Sequence, residues 1–166
     1  MHEKIKARGE YFCRVNGGAW ERIGNLITDE GLSHILNVAF GSEQKPQGYY
    51  IAIHNGTATP AANWTGATYA AAASEIVSLT EGHNSATRPP WNPEPANGGV
   101  IDNVNTAASF TVTTAGVLTI TGCALLTSAQ RGGTGGVLIS AVQFPNARQL
   151  QDGDRFELGY RITLTR

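Results

Sequence analysis

The chain reads as a mainly β protein, an antiparallel β-sandwich of jelly-roll-like type with one or two short helices and an extended N-terminal arm. Three observations predict this. Between Asp154 and Thr165, Phe156, Leu158, Tyr160, Ile162 and Leu164 take every second position, with Arg155, Glu157, Gly159, Arg161, Thr163 and Thr165 between them. That is the period of a strand with one buried and one wet face. From Val100 onward, short apolar runs follow one another closely and are joined by turns bearing Gly and Asn, as in sandwiches and jelly rolls. Finally, a clear helical stripe occurs over only about three turns of chain.

Residues 1–27 are expected to form the arm and residues 28–166 a single sandwich domain. A chain of 166 residues can bury a sizeable core without help from metal or disulfides. In the arm, Lys4, Lys6, Arg8 and Arg14 outnumber Glu3 and Glu10, and Gly17-Gly18 breaks the middle. Tyr11, Phe12, Val15, Trp20 and Ile23 give it something to bury. Such a segment either lies across a neighbouring subunit or is a frayed terminus with one aromatic tacked onto its own domain.

Thr28-Asp29-Glu30 supplies an N-cap and acidic residues where the helix dipole favours them. Leu32, Ile35, Leu36, Ala39 and Phe40 then follow at the spacing of one helical face, expected to dock on a sheet, and Gly41 terminates. Gly48–His54 alternates as a strand, and Asn55-Gly56 turns it. The Ala-rich stretch Asn63–Ser74 predicts a short helical excursion, and Glu75–Thr80 resumes an extended pattern.

Glu81–Gly99 is irregular. Pro89, Pro90, Pro93 and Pro95 flank Trp91, so the segment runs along an edge or projects as a loop. Two readings stay open for it. Arg88 and Trp91 form a binding surface, as these residue types often do, or Trp91 folds back over the core. Beyond Val100, Phe110 and Val112 alternate with threonines, Thr114-Ala115-Gly116 turns, and Cys123–Leu126 is apolar on both faces. Gln130–Gly136 is a glycine-rich tip carrying Arg131. Val137–Phe144 is a further strand, Pro145-Asn146 turns, and Gln151–Asp154 leads into the last strand.

Composition excludes several function classes. Net charge is −1, so no global field draws the protein to nucleic acid or an anionic membrane. Charged residues make up 15%, against the usual quarter, which suits a surface packed against other proteins. No apolar window is long enough to span a membrane, and Met1–Lys6 leads into no signal-like apolar core. Cys13 and Cys123 show no metal or redox spacing. The tip Gly132–Gly136 lacks the ending of a phosphate loop, Gly31-Leu32-Ser33-His34 is no nucleophile elbow, and His2, His34, His54 and His83 show no paired spacing. Asp152-Gly153-Asp154 brings two carboxylates together, which serves a turn or a cation. No enzyme, cofactor or metal site is therefore expected.

The segment Gly31–Phe40, the strand Tyr49–Ile53, the Ala-rich excursion around Asn63-Trp64-Thr65, the run from Ser74-Glu75-Ile76 to Thr80-Glu81-Gly82 and the ending Leu150–Tyr160 occur in that order. Together they resemble a family of small structural proteins of tailed-bacteriophage virions, encoded near the major capsid protein and of head decoration or cement type. The resemblance implies a protein made in the host bacterial cytoplasm that resides on the capsid surface of the virion. It also implies that the protein stabilises the head shell by binding the major capsid protein as a homo-oligomer. The residues expected at such contacts are Lys4, Lys6, Arg8, Tyr11, Phe12, Trp20, Arg88, Trp91 and Arg131. Two alternatives stand beside it. One is a tail or neck structural component. The other is a carbohydrate-binding jelly roll for host attachment that stacks Trp64, Tyr69 or Trp91 on sugar.

Overall fold

The computed structural model describes residues 4–166. Among the described residues eleven strands build two antiparallel sheets, as the alternating apolar pattern requires. The first sheet has the order β2 (Glu21–Gly24), β1 (Lys6–Val15), β11 (Arg155–Thr165), β8 (Ala108–Thr113), β5 (Gly82–His83), with β7 (Val100–Asp102) also paired to β11. The second has the order β3 (Leu26–Ile27), β10 (Leu138–Leu150), β9 (Leu118–Leu126), β4 (Tyr49–His54), β6 (Pro90–Trp91). Tyr11, Phe110, Phe156, Leu158 and Tyr160 from the first sheet meet Ile51, Ile120, Leu125 and Ile139 from the second in one core. This is the sandwich the sequence predicts.

The arm is the main correction. From Lys6↔Thr165 to Val15↔Phe156, every residue of β1 is registered against β11. Alternate residues Tyr11 and Cys13 face the core, and the Tyr11 hydroxyl lies 2.7 Å from that of Ser140 on the opposite sheet. The alternation was present in the sequence but begins with Ala7 and Gly9, which carry too little apolar bulk to mark a face. The chain crosses between sheets at Asn25, whose side-chain amide donates to the Tyr160 hydroxyl at 3.1 Å. Leu26 and Ile27 then pair with Ala141 and Ser140. A boundary at residue 27 therefore falls inside the sandwich, and the first three residues of the expected arm lie outside the described residues.

Helix α1 (Asp29–Phe40) starts and stops where predicted. The Thr28 hydroxyl accepts from the Gly31 amide at 2.9 Å and donates to the Leu138 carbonyl at 2.6 Å, and the Gly41 amide closes the last turn on Asn37. Its orientation differs from expectation. Gly31 and His34 are the buried positions, and Gly31 lies so close to β10 that a Cβ there would sit 2.2 Å from the Ile139 carbonyl oxygen. That approach sets the helix rotation and turns Leu32, Leu36 and Phe40 outward.

Helix α2 (Gly66–Ala73) occupies the Ala-rich excursion, begun by a reciprocal Thr65–Thr68 pair. Glu75–Thr80 is not a strand: it makes one bridge, Glu75 to His54, and then turns. Pro145-Asn146 does not end β10 either. The two residues ride on a register shift between Gln143 and Arg148 while the strand continues, a bulge that needs no proline N–H. Pro90 likewise lies on an edge strand, β6.

Candidate functional site

The two ends of the sandwich are chemically unlike, and the nine residues expected at contacts divide between the interior and those ends. Trp91 is buried, and its indole N–H donates to the Tyr160 carbonyl at 3.0 Å. Folding back over the core is thus the outcome at this position. Arg88 is fully buried. Its Nε and Nη2 donate to the two Glu75 oxygens at 2.7 Å each, and its Nη1 donates to the Ser128 carbonyl at 2.9 Å. Arg131 donates to the carbonyls of Ser85 and Ser78 at 2.6 and 2.9 Å, and more weakly to those of His83 and Ile76. Both guanidiniums thereby tie the irregular 75–88 segment to the glycine-rich 128–132 loop. They are used up inside the fold because a segment without ladder partners needs donors for its carbonyls.

Tyr11 is core. Phe12 lies on the outer face of the first sheet, but the guanidiniums of Arg161 and Arg22 cover its ring at 4.7 and 5.2 Å. Trp20 is covered in the same way by Arg14, 4.3 Å away. These arginines are themselves paired, Arg14 with Glu157 at 2.7 Å, Arg161 with Asp102 at 2.8 Å and Arg22 with Glu10 at 2.9 Å. Hydrogen bonding from Arg14 and then Arg155 holds the Glu157 carboxyl below its ordinary range. Lys4, Lys6 and Arg8 are exposed and form no ion pair among the described residues. Of the aromatics considered for sugar stacking, Tyr69 and Trp91 are buried, so neither offers a free ring face, and Trp64 is half-buried against the α2 cluster.

Those exposed cations border an apolar end. Between α1 and the sheets lies a cavity of about 380 Å³ walled by Ile35, Tyr49, Trp91, Ile101, Leu125 and Ile162, with Lys45 and Gln47 at its rim. The Tyr49 hydroxyl is 3.0 Å from His34 Nε2, and His34 Nδ1 is 2.5 Å from the Glu43 carboxylate. Burial, and secondarily the Glu43 charge, raises the Tyr49 phenol above its usual value. This chain anchors α1 to β4 and fixes Tyr49 as a wall. On the other side of the helix a groove of about 510 Å³ runs between Ala7–Glu10, Leu26 and Leu32.

The helix between them shows water Leu32, Leu36 and Phe40 at 41, 59 and 88% exposure. Spaced four apart, they form one continuous stripe. Ile5 and Leu164 are exposed as well, next to and opposite the first residues of β1. Large contiguous apolar patches are a common feature of interaction sites. The contact list read from the sequence contained none of these residues. Five apolar residues shared the helical stripe and looked like a docking face. Of the five, Ile35 does pack against the core, but the buried docking line runs through Gly31 and His34, whose residue types give no such signal.

At the opposite end, acidic side chains cap turns. Glu81 accepts from the Thr114 hydroxyl and the Ala115 amide, Asp152 from the Thr114 amide, and Asp154 from Asn16 and the Gln151 amide. The Thr114 bond to Glu81 and the Asn16 bond to Asp154 lower those two carboxyls. Asp152 and Asp154 spend these oxygens on local donors. Among the described residues no cluster of three or more His, Cys, Asp or Glu is arranged to hold a metal ion.

Compared with known proteins, the chain matches the family described as Podophage GP4 fiber I protein gp80 over residues 27–161. No curated protein matches it.

Proposed function

The chain belongs to the podophage GP4 fiber I protein gp80 family, a group of phage virion structural proteins, and from that premise we propose that it is a building block of the fiber apparatus. It acts by surface contact, makes and breaks no covalent bond, and requires no cofactor. The observation that carries this reading is the outward stripe Leu32, Leu36 and Phe40. An isolated domain gains nothing from exposing three large apolar side chains in line. A subunit that buries them in an assembly gains about 25 cal/mol for each Å² of apolar surface covered. The outer face of the first sheet is closed by its own ion pairs, and the apolar end offers a surface for attachment.

Decoration of the head shell through the major capsid protein uses the same contact chemistry on a different lattice. The family description favours the fiber, and the two are separated by location. Gold-labelled antibody against this chain, applied to intact virions, is expected on fibers. Label spread over the capsid faces instead would replace the fiber reading with the decoration reading. The surface itself is tested by a Leu36→Ser/Phe40→Ser variant. Both side chains are already solvated, so its thermal midpoint should stay within a few degrees of the parent. Its incorporation into virions, read by immunoblot after complementation of a deletion phage, should fall at least about tenfold, the change expected on losing more than about 1.4 kcal/mol of contact. Normal incorporation would remove this stripe from the attachment surface.

A further inference from the structure

We infer that copies of this chain associate head to tail, the basic apolar end of one receiving the acidic end of the next. The inference rests on the fiber reading above and gives it a partner, a second copy. At the receiving end, β2 stops at Gly24 opposite Glu10, so among the described residues Lys6–Arg8 have a strand neighbour on the β11 side only. Beside that open edge runs the groove walled by Leu26 and Leu32 and lined by Arg8, and Lys4 and Lys6 are exposed just ahead of it in the chain. An unpaired edge with apolar surface beside it is a ready template for another chain.

The occupant follows from charge. Two copies meeting by the same end would place Lys4, Lys6 and Arg8 against their own like, which costs affinity and slows encounter. The far end supplies the complement. Its turn tips, residues 16–18, 78–81, 114–117 and 151–154, carry Glu81, Asp152 and Asp154 and no cation. Leu79 and Val117 stand exposed among them, and the small Ala115 and Gly116 make the 114–117 tip narrow. The two ends lie at opposite termini of β11, because Asp154 precedes its first residue and Lys6 pairs with its last. At about 3.3 Å per residue that separates them by roughly 35 Å. Each copy therefore has one donor end and one acceptor end facing away from each other. Repetition of such a heterologous contact builds an open linear stack rather than a closed dimer.

The test uses the full chain. Sedimentation equilibrium over a concentration series is expected to show a mass rising past that of a dimer. Lys6→Glu/Arg8→Glu should weaken association about tenfold or more, as should high salt, while the melting temperature stays unchanged because neither side chain has a partner among the described residues. Variants with one added surface cysteine, Lys6→Cys and Val117→Cys, mixed under mild oxidation, should cross-link mainly to each other. The native Cys13 and Cys123 are buried and give no background. A monomer at every concentration, or Lys6→Cys linked chiefly to itself, overturns the head-to-tail contact. Either result leaves the fiber reading standing if virion label still falls on fibers. Stacking protein whose label falls on heads keeps this contact and sinks the fiber reading instead.

Discussion

Arg88 and Glu75 show how one residue can organise a region without touching a partner. Both side chains are almost fully buried, 1 and 2% exposed. A buried ion pair is a poor source of net stability, because desolvation offsets most of the attraction, but removing one member leaves a bare buried charge. Arg88→Ala should therefore cost about 3–5 kcal/mol, measured by chemical denaturation. The paired change Arg88→Met/Glu75→Gln should recover much of that loss. Equal losses in the two variants would mean that the pair is not what holds the 75–88 segment. Glu75 also accepts from the Gly132 amide, so the pair closes two loops at once. None of this was legible in the sequence, where Arg88 beside prolines and Trp91 looked like an exposed contact. The residue type was informative, but the carboxylate that claims it lies thirteen positions away in a stretch that reads as a strand.

At the scale of elements, β1 decides most. It lies between β2 and β11 and contributes Tyr11 and Cys13 to the core. Deleting residues 1–15 should leave an insoluble or unfolded product, judged by loss of the far-ultraviolet strand signal and of a cooperative melt. A folded, soluble remainder would show that β11 can stand as an edge, contrary to its length and apolar inner face. Helix α1 gives the second case. Its limits were legible to the residue because capping is local chemistry, Thr28 at one end and Gly41 at the other. The face that docks was not, because it depends on how closely Gly31 can approach the backbone of Ile139, a distance no sequence pattern encodes. The stripe proposed for attachment is what that docking leaves outside.

For the molecule as a whole, two buried histidines set the response to acid. Burial lowers His54 to about 4, and burial together with the charge of Arg131 lowers His83 to about 3. Both are neutral in the folded protein at neutral pH. The unfolded chain takes up these protons near pH 6.5, so it binds more protons than the native state at every pH below that. Their contribution to stability is complete above pH 6.5 and declines as pH falls. The carboxyls of Glu81, Asp154 and Glu157, lowered in the fold, add to the decline from about pH 4.5 downward. The melting temperature is expected to fall between pH 6.5 and 4.5, by roughly 3 °C for each kcal/mol lost in a chain of this size. His83→Asn should flatten that stretch, and a midpoint that does not move from pH 7 to 5 would contradict the assignment.

The sequence by itself determined that the protein is a two-layer antiparallel β fold with a short capped helix, because period-two alternation, caps and turn residues act over a few positions. It also contained the order of segments by which a virion protein can be told. Only the tertiary structure decided that the first strand is interior, that Arg88, Trp91 and Arg131 serve the fold, and that Leu32, Leu36 and Phe40 face outward. The reason is that burial is a property of pairs: a residue's face is fixed by what approaches it from far along the chain. Two ends of opposite character exist only once β1 and β11 have been laid side by side.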